Sequence, residues 1–158
     1  PASDDPVVVC GGNTVTITTT TGLNASAIEI AGTLTSQVAN LSTIGNIDGT
    51  GSLAFNTITS TPIFGAMSGT FIGASGGTVD YGGGGAYTLP TQSTYNNLTI
   101  SNANTTTLGA NVTVNGDATF NGSRVDMSTF TLSNADNGGT FTLGSGTTLR
   151  VEGPSNFP

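Results

Sequence analysis

The feature that most constrains this chain is a short motif in which an apolar residue, a Thr or other polar residue, and a second apolar residue follow one another. It occurs as Val15-Thr16-Ile17, Ile28-Glu29-Ile30, Leu98-Thr99-Ile100, Val112-Thr113-Val114, Ala118-Thr119-Phe120, Phe130-Thr131-Leu132, Phe141-Thr142-Leu143 and Leu149-Arg150-Val151. In extended backbone each motif puts both apolar side chains on one face and the polar one on the other. Between the motifs lie turn clusters, among them Asn115-Gly116-Asp117, Asn121-Gly122-Ser123 and Gly144-Ser145-Gly146, whose Gly and Asn tolerate positive φ.

The apolar positions return at a nearly fixed interval. Leu53 and Phe71, Val79 and Leu98, Leu98 and Ala118, Val112 and Phe130, and Phe130 and Leu149 are all separated by almost the same length of chain. A recurrence of about 18–20 residues, with two or three short strands per cycle, predicts an all-β parallel β-solenoid in which each strand lies on its counterpart one coil later. The alternative is an antiparallel β-sandwich, which also accommodates frequent strands; its strands, however, usually run to about five or six residues rather than three.

Composition agrees with a narrow tube. Thr is the commonest residue, at 30 of 158 positions, and β-branched residues favour strands. A tube one coil wide needs few inward side chains per coil, so a thin apolar inventory suffices. One stretch, Ser36 to Leu41, lacks Gly and Pro and tolerates a short helix. The chain reads as a single segment, 1–158, with a less regular half (1–93) and a more regular repeat half (94–153). Gly-rich stretches at Gly73–Val79 and Gly82–Ala86 predict loops that leave the tube. Tyr81, Tyr87 and Tyr95 bracket that region; they either anchor a partner or pack beneath the loops.

Charge narrows the function. Two cations, Arg124 and Arg150, face nine carboxylates, a formal net charge of −7. Such a surface lacks what nucleic acid or anionic lipid needs, and no apolar run approaches the roughly 20 residues of a membrane-spanning helix. Without His, and with Cys10 as the one cysteine, no credible zinc site can be assembled, and no Lys or His is present to act as a basic catalytic residue. Cys10 follows Val7, Val8 and Val9 and reads as a small buried side chain. The chain is therefore expected not to be an enzyme and to need no cofactor. One carboxylate pair, Asp117 and Asp136, is spaced by one coil, so it binds a structural Ca²⁺, acts as an acid pair, or simply forms turns.

Thr-x-Thr sets occur at Thr14/Thr16/Thr18, Thr33/Thr35, Thr57/Thr59, Thr105/Thr107, Thr129/Thr131 and Thr140/Thr142. Arrayed on one flat solenoid face they would suit ice, but their intervals do not hold a single coil period.

The segment Thr94-Tyr95-Asn96-Asn97-Leu98-Thr99-Ile100, continuing through Thr107-Leu108-Gly109-Ala110-Asn111-Val112-Thr113-Val114-Asn115-Gly116-Asp117, resembles a repeat common in very large secreted surface proteins of Bacteroidota, including type IX-secreted adhesins carried along the surface of gliding cells. The match is good over this segment, and a looser similarity extends to Gly153. The resemblance implies a parallel β-solenoid stalk in an extracellular adhesin at the cell surface. The expected partners are neighbouring repeats or copies of the chain end to end, and surface glycans. A carbohydrate-binding module and an ice-binding solenoid are the alternatives.

Overall fold

The computed structural model describes residues 6–19, 24–135 and 138–152, and within them the chain winds as a succession of short parallel strands stacked into about seven coils of a β-solenoid. The first coil holds β1 (Val7–Val9) and β2 (Thr14–Ile17); the second holds β3 (Ala25–Ile30), β4 (Thr33–Ser36) and β5 (Asn40–Leu41). The third holds β6 (Ile44–Gly49), β7 (Ser52–Phe55) and β8 (Ile63–Phe64). In the fourth, helix α1 (Gly69–Ile72) precedes β9 (Thr78–Tyr81) and β10 (Tyr87–Thr88). The fifth holds β11 (Thr94–Tyr95), β12 (Asn97–Ile100) and β13 (Thr105–Thr107), and the sixth β14 (Val112–Val114), β15 (Ala118–Phe120) and β16 (Arg124–Asp126). The seventh holds β17 (Leu132–Asn134), β18 (Phe141–Leu143) and β19 (Thr148–Arg150).

One face runs through every coil. The seven-stranded sheet β18-β15-β12-β9-β7-β4-β2 is parallel throughout, which excludes an antiparallel sandwich. The other two faces are interrupted. The strands that precede it form β1-β3-β6 and then β11-β14-β17, with α1 packed between β6 and β11; those that follow it form β5-β8 and β10-β13-β16-β19.

Register explains both the period and its exceptions. Thr14 pairs with Thr33 and Thr33 with Ser52 at one constant interval, but Ser52 pairs with Thr78 at a longer one, because the fourth coil carries α1. Val79–Leu98 and Leu98–Ala118 are true partners, as the sequence interval predicts. Three other intervals are corrected: Leu53 faces Val79 rather than Phe71, Val112 faces Leu132 rather than Phe130, and Leu149 faces Val125. Phe130 sits in the turn before β17 and only packs on the core from outside. The loop ahead of β18 lengthens one coil, so the step from Ala118 to its partner Phe141 is also longer than the common interval.

Two columns of side chains fill the tube beneath the continuous sheet. Leu34, Leu53, Val79, Leu98 and Ala118 form one; Ile17, Ser36, Phe55, Tyr81, Ile100 and Phe120 form the other. The Phe55 and Tyr81 rings stack at 5.7 Å. Ser36 is the polar member, and its hydroxyl donates to the Val38 carbonyl at 2.7 Å, so its burial leaves no polar group unpaired there. Residues at the outermost coils, Val15 and Leu143, lie 42% and 45% exposed.

Corners are tied by Asx side chains that reach the next coil. Asn97 Oδ1 accepts from Asp117 N–H at 2.9 Å, and Asn111 Oδ1 accepts from Thr131 N–H at 3.0 Å. Asp117 Oδ1 accepts both Thr140 N–H and the Thr140 hydroxyl at 2.8 Å. These bonds replace strand pairing where the chain turns and backbone groups would otherwise lack partners. Where two coils approach too closely for any side chain, glycine is required: a Cβ on Gly65 would overlap the Gly45 carbonyl.

Two local expectations are corrected. Ser36–Leu41 is not helical; it leaves β4 through a bend and enters β5, because a helix there would break the stacking of both strands. The helix is instead α1, where the Ser68 hydroxyl accepts from Phe71 N–H and donates to Asp48 at 2.7 Å. Cys10 is exposed rather than buried, since strand alternation turns Val9 inward and the following Gly11-Gly12 turn carries Cys10 out.

Candidate functional site

The three tyrosines lie inside the protein. Tyr81 and Tyr95 are fully buried and meet edge to face at 6.1 Å, with their hydroxyls 3.0 Å apart. Tyr87 is 7% exposed and donates its hydroxyl to the Gly82 carbonyl at 2.7 Å. Burial pushes all three phenols above the ordinary tyrosine value. None presents a ring face to an outside ligand; of the two roles open to them, they pack beneath the loops and hold them.

Among the described residues the acidic groups are dispersed, and most are engaged by hydrogen bonds or arginines. The two hydrogen bonds from Thr140 hold the Asp117 carboxyl below its ordinary value, and the Ser68 hydroxyl with Gly49 N–H does the same for Asp48. Asp136, the expected partner of Asp117, lies outside the described residues. Burial works to raise Asp126, but Ser128 N–H and Arg150, with the charges of Arg150 and Arg124, outweigh it and leave the carboxyl lowered. Both cations of the chain thus gather on Asp126, with Arg150 also paired to Glu152. Among the described residues no group of three or more His, Cys, Asp or Glu side chains converges as a metal site.

Asp80 differs from these. Burial raises its carboxyl, opposed by hydrogen bonds from Ser101, whose hydroxyl donates to Oδ1 at 2.6 Å. Ser101 belongs to the wall of a cleft of about 570 Å³ at the corner where the third, fourth and fifth coils leave the continuous sheet. Asn56, Thr57, Thr59, Gly82, Gly83 and Gly84 complete it. A second groove, about 400 Å³, lies between residues 61–66 and Pro90–Gln92, where β8 has no further strand neighbour among the described residues.

The outward face of the seven-stranded sheet was only half legible from the Thr-x-Thr pairs. Pairing places Thr14, Thr33, Ser52, Thr78 and Asn97 in one column. Thr16, Thr35, Ala54, Asp80, Thr99, Thr119 and Thr142 form the second. The intervals are uneven, as expected, yet Thr14/Thr16, Thr33/Thr35 and Thr142 of the last pair still fall into these columns. Uneven coil lengths, absorbed at the corners, hid the alignment. Thr105/Thr107 belongs to β13 on another face, and Thr57/Thr59 lies at the cleft.

No family model, curated protein or solved structure matches the chain. No helix among the described residues is long and apolar enough to cross a membrane.

Proposed function

We propose that this chain is a segment of a non-enzymatic extracellular stalk or filament, of the kind found in the repeat regions of large secreted surface adhesins that residues 94–117 resemble. The supporting observation is the continuous parallel sheet with its two inward columns, which carries hydrogen bonds along the tube axis from β2 to β18. Each coil contacts chiefly its neighbours, so load applied along the axis passes through every coil in series. Single-molecule pulling between handles fused beyond both ends tests this. A stalk segment yields stepwise, each coil releasing about 65–70 Å of chain. Collapse at negligible force would remove the mechanical role.

A second reading has its own support, the outward Thr columns. They form a grid of hydroxyls and methyls at about 4.7–4.9 Å between strands and about 6.6 Å along each strand, a regular spacing suited to ordering water as in ice. Ala54 and Asp80 interrupt the second column near its middle, Ser52 gives the first a hydroxyl without a methyl, and Asn97 ends it. Ice-recrystallisation assays on the intact chain and on Thr35→Lys and Thr119→Lys variants decide it: inhibition by the intact chain that both variants lose supports it, and no inhibition by the intact chain ends it.

A further inference from the structure

We propose that the cleft over Gly82–Gly84 is a binding site for a neutral saccharide. This is independent of the stalk reading, since it concerns one corner of the tube and not its length.

The floor of the cleft is glycine backbone most of whose polar groups are already used. Gly82 N–H donates to the Phe55 carbonyl at 2.8 Å, and Gly84 and Gly85 N–H both reach the Ile58 carbonyl. The Gly82 carbonyl accepts from the Tyr87 hydroxyl, the Gly83 carbonyl from Ala103 N–H at 3.0 Å, and the Gly85 carbonyl from Asn102 Nδ2 at 2.9 Å. Neighbouring coils therefore clamp the floor from both sides and fix its shape before any ligand arrives. With no Cβ on Gly84 and open space above it, the C–H face of a pyranose ring can reach van der Waals contact with the backbone.

The rim has the opposite character. Asn56, Thr57 and Thr59 are exposed, and their side chains make no hydrogen bond to the described residues. Two hydroxyls and a carboxamide each offer both donor and acceptor, the mixed set that vicinal sugar hydroxyls require. On the far wall, the Ser101–Asp80 pair supplies an acceptor for a hydroxyl donor. The sign of charge excludes anions: Asp80 repels them, and both arginines are committed around Asp126. A volume of about 570 Å³ lies within the usual range of small-ligand sites, roughly 300–1,000 Å³. The groove beside Pro90 also carries Thr61, Thr91 and Gln92, but the Gln92 Nε2 is already committed to the Thr94 carbonyl at 2.8 Å, and nothing there identifies an occupant.

Native affinity gels cast with neutral mannan, xylan, laminarin or dextran, or with anionic alginate, test the proposal on the full chain. Retardation is expected in at least one neutral gel. Asn56→Ala with Thr59→Ala should weaken that retardation at least tenfold. Gly84→Leu should abolish it with little change in melting temperature, because a Cβ at Gly84 meets no other atom within 4 Å. Ser133→Ala, on a different face, should have no effect. No retardation in any neutral gel, retardation by alginate alone, or retardation that survives Gly84→Leu would each overturn the site. A chain that unfolds in steps under load yet ignores every glycan loses this site and keeps the stalk reading.

Discussion

The continuous sheet and the two interrupted faces are built from the same kind of sequence, yet they tolerate change very differently. Beneath the continuous sheet, every coil from β2 to β18 keeps one residue facing its partner in each inward column. The extra length, which comprises the longer loop between β7 and β8, the insertion that carries α1 and the longer loop ahead of β18, enters on the other sides. One register therefore organises the rod, while the other faces and their corners are free to vary in length. The glycine cleft sits at such a corner, and the Thr grid sits on the sheet that cannot vary. Excursions are where a solenoid acquires local chemistry; the unbroken sheet is where it acquires stiffness.

The largest expected contrast follows directly. Leu98→Ala empties a fully buried position between Val79 and Ala118 and should cost about 2–5 kcal/mol, whereas Ile63→Ala on the interrupted face, 54% exposed, should stay within about 0.5 kcal/mol. Urea unfolding of the two variants measures both. Similar losses at the two positions would dissolve the distinction between the faces.

A smaller effect tests where the two regions join. Tyr81 belongs to the continuous sheet and Tyr95 to β11, the first strand after the interruption, and their buried hydroxyls share one hydrogen bond. Either single change to Phe strands the other hydroxyl and should cost about 1–3 kcal/mol, while the double change removes both polar groups and should approach neutrality. A double-mutant cycle reads the coupling; additive losses would mean that the two hydroxyls do not depend on each other.

Much of the architecture was legible because inward positions need only be apolar and spaced by one coil, and Val79, Leu98 and Ala118 satisfy that in one dimension. What stayed hidden was set by coil length. The insertion carrying α1 displaced Leu53's partner from Phe71 to Val79, and the same insertion concealed that Thr35 and Thr99 share a column. The tyrosines illustrate a different limit. Strand alternation assigns Tyr81 to the inside with Val79, but the Gly run beside it suggested an exposed loop. The run instead lies flat because Tyr87, Ala103 and Asn102 hold its carbonyls, and contacts made across a loop or from the next coil leave no local trace. Asn56 carried no signal, and Thr57 and Thr59 stood out only as a Thr-x-Thr pair, since the three become a rim only when Gly82–Gly84 is stacked beside them.

The smallest effect is a pH profile in which the two regions pull in opposite directions. Asp117, at a corner, has its carboxyl lowered from 3.8 in the fold, so its contribution to stability is present above that value and is lost as pH falls below it. Asp80, on the continuous sheet, has its carboxyl raised, so its ionisation opposes folding at neutral pH and that penalty is relieved as pH falls toward the ordinary value. Melting temperature should therefore rise on mild acidification and fall once pH drops below about 4. Asp80→Asn should raise the melting temperature at neutral pH and flatten the first limb. Asp117→Asn should soften the second limb without loosening the corner, because Asn97 and Asn111 already make the same bond to the next coil with a neutral side chain. If Asp117→Asn lowers stability at neutral pH as much as Asp117→Ala does, the carboxylate charge and not the cap geometry holds that corner, and the equivalence of Asp and Asn along the solenoid's edge fails.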